Sequence, residues 1–480
     1  MATTILSHDS SSDKDKQPIW LAWWEAISLL RPAFTHTASF MWFAVIVAGM
    51  MVRFEKFGLT SVMRVFKLKG CFYNALLRNV HSNVVQPDDI AALWAKMVMR
   101  LFPTPLQVND RRVLVGDGIK APKRGKKMPG VKLLHQQSEN KAEFTMGHSC
   151  QAVSVLVHAA QSIFAVPLSI RIHEGIVFSN RCKKTLLDKM LMLIDTVTDG
   201  EKCYFVADAY YAARPIAIGL CERGSDVVTR VKHNTVAHML YQHEGKKKRG
   251  RPRKYGVRVV LSSLFKDGTA MQTLECNLYG ERNVTVKYVV RDLYWKPAGR
   301  VVRFVAVIHP TRGSCLLMST DVTLDGAEII RLYGFRYKIE YSFKQAVHQI
   351  GTFSYRFWMK NMKPQRYGAG NQYLHHESEE YRQEVKRKTH AYHVFLQAGI
   401  IAQGLMQYLA VVYPQAIWHS FGSWLRTIRP GIAPSEFVVA ESLRQSLPLF
   451  LLSSANTHAF AKFVTRRQNT DEPEMFLAAA

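Results

Sequence analysis

The sequence predicts an α/β protein: a mixed sheet with flanking helices, interrupted by a β-rich insertion and bounded by helical N- and C-terminal regions. Three observations carry this. Between Arg111 and Asp208, apolar runs follow one another in the order strand, strand, strand, helix, strand. From about residue 233 to 322, that alternation gives way to short strand-like runs separated by turn residues. Residues 18–105 and 356–480 read as helices, the first with Trp20, Trp23, Trp24, Trp42 and Trp94 among its core candidates.

Composition narrows the partners. The 480 residues hold 64 Lys+Arg against 37 Asp+Glu, a net charge of +27. Such a surplus attracts polyanions at long range, so nucleic acid is the first expected partner and an anionic membrane the second. The longest apolar run, Ala38 to Val52, has 15 residues. A spanning helix needs about 20, so this run reads as a buried core helix. The seven cysteines show no C-x-x-C spacing, which argues against a structural zinc site or a disulfide framework and for a reducing compartment. Residues 1–17 read as a disordered polar tail without a signal-peptide pattern. No Walker A loop, G-x-G-x-x-G or H-E-x-x-H is present.

In the N-terminal helical region, Gly58 to Phe66 and Cys71 to Val80 have the form of a helix-turn-helix with Arg64, Lys67, Lys69 and Arg78 toward phosphate, though any basic helical region contains such a pair. This region, 18–105, is expected to bind DNA. The run RRVLVGDGIK then reads as a short strand ending at Asp117-Gly118, before a loop holding Lys120, Lys123, Arg124, Lys126, Lys127 and Lys132. Two further strands, a helix over about 183–197 and the strand CYFVADAYY, ending in Asp208, complete the opening order of an RNase H-like fold. A right-handed crossover lays the fourth strand beside the first, which makes Asp117 and Asp208 neighbours. Residues 106–232 and 323–355 are thus the two parts of one core, and 233–322 an inserted β-domain. Inside it, KKKRGRPRKYG resembles an AT-hook, with Arg249, Arg251, Arg253 and Lys254 toward a minor groove; a solvated basic loop is the competing reading.

Asp325 and Glu328 form a helix-start pair and Gly351 a stop, which predicts one helix over DGAEIIRLYGFRYKIEYSFKQAVHQIG. Ile339, Phe343, Ala346 and Ile350 make its buried seam, and Tyr333, Arg336, Glu340 and Lys344 its other stripe. A solvated face with Glu340 paired to Arg336 and Lys344 accounts for that stripe equally well. The two upstream aspartates favour a site. Hydrolysing a phosphodiester needs an activated water and a neutralised leaving oxygen, which two divalent ions supply. Such hard ions take oxygen ligands. Asp117, Asp208 and Glu340 are the right type and number, and Arg336 is placed to grip a phosphate.

Tyr333-x2-Arg336-x3-Glu340 resembles the Y-R-E-K signature of DDE transposases from bacterial insertion sequences, the insertion-sequence-four group. VGDG is similar to that family's first aspartate context and Asp208-Ala209-Tyr210 to its second, and a β-rich insertion before the glutamate is another family trait. The family lysine falls where this chain has Val347, leaving Lys344 as a substitute one turn along. The resemblance implies a transposase that binds the element's terminal repeats, cleaves with Mg²⁺ (two ions, Mn²⁺ substituting) held by Asp117, Asp208 and Glu340, and joins the 3′-OH to target DNA. It implies an active homodimer, a cytoplasmic location at the bacterial nucleoid, no membrane partner, and a hairpin intermediate. In that intermediate Tyr333 and Arg336 hold the phosphate beside a flipped base, for which Trp295 is a stacking candidate unless it is core. The competing reading is a DNA-binding protein that has lost this chemistry.

Overall fold

The computed structural model describes residues 19–136, 142–241, 254–266, 270–422, 427–429 and 431–469. The expected tail and Arg249, Arg251 and Arg253 lie outside these. Among the described residues, five N-terminal helices come first: α1 (Ile19–Ser28), α2 (Thr37–Val52), α3 (Gly58–Val65), α4 (Tyr73–His81) and α5 (Pro87–Leu101). The apolar run is α2, buried along most of its length. Its lack of a polar face follows from its central place in the helical layer.

The α/β core begins with β1 (Gln107–Val108), β2 (Arg111–Pro122), β3 (Lys132–His135), β4 (Phe144–Ala159), β5 (Ser162–Ile172) and β6 (Ile176–Val177). It continues with α6 (Leu186–Thr198), β7 (Cys203–Ala207), α7 (Arg214–Glu222) and β8 (Asp226–Val231). Strand β2 pairs antiparallel with β4 and parallel with β7, and β7 pairs parallel with β8. The first and fourth long strands are therefore side by side, as expected. β7 is buried at every residue, which accounts for its unbroken apolar run. Helix α6 starts on a capping box in which the Thr185 hydroxyl accepts from Asp188 N and the Asp188 carboxylate accepts from Thr185 N.

Three expectations need correction. Strand β2 does not stop at Asp117-Gly118 but runs on to Pro122, because its partner β4 is long enough to pair that far. Lys120 is consequently on the strand and Lys123 is buried. The insertion is not a separate β-domain. Its strands are β9 (Val236–Leu240), β10 (Tyr255–Val260), β11 (Gln272–Leu278), β12 (Glu281–Trp295), β13 (Arg300–His309) and β14 (Gly313–Ser319). They extend the core sheet itself, since β14 pairs with β8 and covers an edge that would otherwise be open. Lastly, the long helix is broken into α8 (Gly326–Gly334), α9 (Tyr337–Gln345) and one π-helical segment, Ala346–Ile350. Around the break the backbone bonds tighten to the i→i−3 pattern, with Arg336 N on Tyr333 O and Ile339 N on Arg336 O. Gly334 is packed there so closely that a Cβ would lie 2.7 Å from Leu278 Cδ2. Asp325 occupies the N-cap position of α8 but its side chain makes no capping bond, whereas Gly351 ends the π segment in the left-handed region, φ 70°. The seam residues Ile339, Ala346 and Ile350 are buried as expected.

The C-terminal region supplies β15 (Gln372–Tyr373), paired with β6, and the helices α10 (Glu379–Val412), α11 (Pro414–Phe421), α12 (Glu436–Ser453) and α13 (Ala459–Thr465). It packs directly on the N-terminal helices. Trp20 stacks on Phe450 at 5.7 Å and donates from Nε1 to Leu443 O at 3.1 Å. Helix α10 is long and apolar enough to cross a membrane, but its apolar stretch is 94% buried between β5 and the N-terminal helices.

Candidate active site

Ligand sites in sheets of this kind lie beyond the carboxyl ends of the parallel strands. The residues at those ends here are Asp117 on β2, Asp208 after β7, and Arg230, Lys232 and His233 at the end of β8. The parallel register pairs Gly116 with Ala207, so the residues that follow each, Asp117 and Asp208, are adjacent. Gly116 is required by this neighbour: a Cβ there would sit 2.3 Å from the Phe205 ring. Asp117 Oδ1 accepts from Gly118 N at 2.7 Å. The Asp208 carboxylate accepts from Tyr210 N at 3.1 Å and caps the short turn that follows, while its backbone oxygen accepts from the Thr229 hydroxyl at 2.7 Å.

The broken helix closes the other wall. Arg336, N-terminal to α9, donates from Nη1 to Asp117 Oδ2 at 3.1 Å and from Nη2 to Glu340 Oε1. Asp117, Asp208, Arg230, Lys232, His233, Tyr333, Arg336 and Glu340 line one cleft of about 470 Å³. Both readings of the stripe are therefore partly realised. Glu340 is paired with Arg336, and both lie in one cleft with the two aspartates. Lys344 is exposed on α9 and does not line the cleft.

The electrostatics concentrate on the aspartates. Burial, reinforced by the charge of Asp208, pushes the Asp117 carboxyl up to about 6, against the pull of Gly118 N–H and Arg336. Burial also raises Asp208. Burial works against the charge of Arg336, yet Glu340 and Asp117 together hold its pKa above the ordinary value. Behind the aspartates, Gln151 on β4 donates from Nε2 to Tyr211 Oη at 2.9 Å, and its Oε1 meets His173 Nδ1 at 2.7 Å. This chain fixes the turn that carries Asp208.

Arg230, Lys232 and His233 belong to no motif in the sequence. The signal was present, since VVTRVK reads as the strand following β7 and its far end must fall beside Asp208. Trp295 is 4% exposed, packed at the end of β12. It lines a second cavity of about 670 Å³ with Tyr210, Lys232 and Thr235, which adjoins the cleft through Ala209 and Val231. Lys254 is exposed, 5.8 Å from the Tyr294 ring centre, and outside the cleft lining. In the expected helix-turn-helix, α3 and α4 form, but Arg64 is paired with Glu55.

Among the described residues, no three His, Cys, Asp or Glu side chains close into a metal cluster, and Arg336 bridges Asp117 and Glu340. The donor chemistry nevertheless fits a hard divalent cation. Two adjacent, partly desolvated carboxylates with raised pKa values offer the oxygen ligands that such an ion takes.

No curated protein sequence matches the chain. The family described as DDE superfamily endonuclease matches residues 29–291, which includes both aspartates and stops short of Glu340. Family and geometry agree on a DDE-type nuclease core, and the match covers more than half of the sequence. The chain belongs to the DDE superfamily endonuclease family.

Proposed function

We propose that this endonuclease is a DNA transposase similar to the insertion-sequence-four group, binding the ends of a mobile element, cleaving them and joining the 3′-OH to target DNA as a homodimer. The observation that carries the reading is the meeting of Asp117, Asp208, Arg336 and Glu340 in one cleft from three separate stretches of the chain. Asp117, Asp208 and Glu340 would hold Mg²⁺ or Mn²⁺, which supplies an activated water and a counter-charge for the departing oxygen. The protein's own groups do the rest. Arg336, once released from the carboxylates, holds a phosphate by paired hydrogen bonds. Tyr333 closes the wall beside it, and Arg230 and Lys232 bring positive charge to the strand being cut. The strongly basic chain draws the duplex to the cleft, in keeping with a protein that works at the nucleoid.

The test is cleavage of a labelled duplex carrying the element's own terminal repeat, with Mg²⁺ and with EDTA, by the wild type and by Glu340→Gln. Metal-dependent release of a 3′-OH end by the wild type alone is expected. Binding without any cut, in Mg²⁺ and in Mn²⁺, would instead favour a DNA-binding protein that has lost its chemistry, a reading suggested by Val347 at the family's lysine position.

A further inference from the structure

Both catalytic elements run on into the same surface. Beyond Asp117, β2 continues for five residues, about 17 Å, into the basic segment after Pro122. Beyond Glu340, α9 and its π segment end at Gly351 and lead into the aromatic segment that starts at Tyr355. These two segments, far apart in sequence, are laced together. Met359 N donates to Lys127 O at 3.0 Å, Gln365 N to Lys126 O at 2.7 Å and Leu133 N to Ala369 O at 2.7 Å. Lys123 is buried beneath them, donating to Phe353 O and to Tyr355 O, with its Nζ 3.4 Å from the Tyr355 ring centre.

The lacing buries Met128, Tyr355, Phe357, Met359 and Met362 and leaves most of the basic side chains on the surface. Arg124, Lys126, Lys360, Lys363 and Arg366 are exposed. Neither residues 119–135 nor 352–376 contain an Asp or Glu. The latter segment exposes two rings, Trp358 at 62% and Tyr367 at 76%. Trp358 lies against Gly125 of the basic segment: a Cβ on that glycine would come 3.4 Å from its Nε1.

We propose that this platform binds single-stranded DNA, its cations on phosphates and Trp358 and Tyr367 stacked on unpaired bases. Charge complementarity selects a polyanion, and the exposed rings select one with open bases, since a duplex keeps the faces of its bases stacked inside and shows only their edges. The identification of the polyanion as DNA rests on the proposed function. The position, one strand length from Asp117, suits a strand that has been separated from its complement at the cleft.

The test uses the full chain in EDTA, which removes cleavage from the measurement, with fluorescence anisotropy of a labelled oligothymidine and of a duplex of equal length. Trp358→Ala and Tyr367→Ala are each expected to weaken oligothymidine binding roughly 5- to 150-fold while changing duplex binding less than about twofold. Lys363→Ala with Arg366→Ala is expected to lower the logarithmic salt slope for the single strand by about 0.7 per contact. Unchanged oligothymidine affinity in the ring variants overturns the proposal, and so does an equal loss on both DNAs. Cleavage of end duplex with Mg²⁺, assayed separately, reports on the transposase reading. A wild type that binds oligothymidine but never cuts sinks that reading and leaves this one standing.

Discussion

Arg336 Nη1 lies 3.1 Å from Asp117 Oδ2 across 219 residues of sequence, and the same guanidinium holds Glu340 one turn along its own helix. One residue therefore ties up two of the three carboxylates that a metal would need. A divalent cation must compete with it, and a phosphate must draw it away. Arg336→Ala is expected to tighten Mn²⁺ binding at least threefold, read by calorimetry, while cutting end cleavage by a hundredfold or more, because hydrogen bonds to charged groups contribute about 1.5–3 kcal/mol each. Arg336→Lys keeps the charge but loses the fork, and should recover metal competition without recovering cleavage. Weaker Mn²⁺ binding in Arg336→Ala would show that the arginine organises the carboxylates instead of competing for them.

The residue before Asp117 tests how tightly the sheet sets the site. Gly116→Ala forces a methyl group to within 2.3 Å of the Phe205 ring. Overpacking of this kind costs about 1–3 kcal/mol. Urea unfolding should show that loss, and Phe205→Leu in the same chain should restore at least half of it. Asp117 moves with Gly116, so cleavage should fall in the single variant and partly return in the double.

These residues also show what the sequence disclosed. The sequence brings Asp117 and Asp208 together because strand order and the handedness of a crossover are topological, and a continuous apolar run such as CYFVA states its own burial. The break between α8 and α9 was not legible. At the break Gly334 packs against Leu278, on a strand of the insertion, a long-range neighbour that the helical pattern does not carry. For the same reason the insertion read as a domain of its own. Its short strands show their alternation but not the partner β8 that makes them part of the core sheet. An unbroken helix puts Lys344 on one stripe with Arg336 and Glu340, and nothing in VVTRVK marks Arg230 apart from its position at the end of a strand.

That contrast is measurable. Arg230 and Lys232 line the cleft, whereas Lys344 does not. Arg230→Ala should lower end cleavage about tenfold and weaken duplex binding, with the logarithmic salt slope reduced by about 0.9 for one lost phosphate contact. Lys344→Ala should leave cleavage within about twofold of the wild type. The reverse ranking would place the family lysine's role on Lys344 after all.

A buried histidine makes stability depend on pH. His148 on β4 sits fully inside, its Nδ1 2.6 Å from the Tyr355 hydroxyl and its Nε2 2.9 Å from Pro129 O. Those partners suit a neutral ring that donates from Nε2 and accepts at Nδ1. Burial, with the nearby Lys123 ammonium adding to it, lowers its pKa to about 3. An unfolded chain takes up the proton near pH 6.5, so between these values only the unfolded state binds it. Stability is complete above about pH 6.5 and falls as pH drops toward 3, by up to about 1.4 kcal/mol per pH unit for this group. His173, lowered to about 3, and His81, lowered to about 4, both chiefly by burial, act in the same direction. Urea unfolding at a series of pH values from 4.5 to 7.5 should show the decline. In His148→Gln, which keeps a donor and an acceptor but cannot titrate there, the slope should be shallower by about one proton. An unchanged slope would mean that His148 takes up its proton without unfolding the chain.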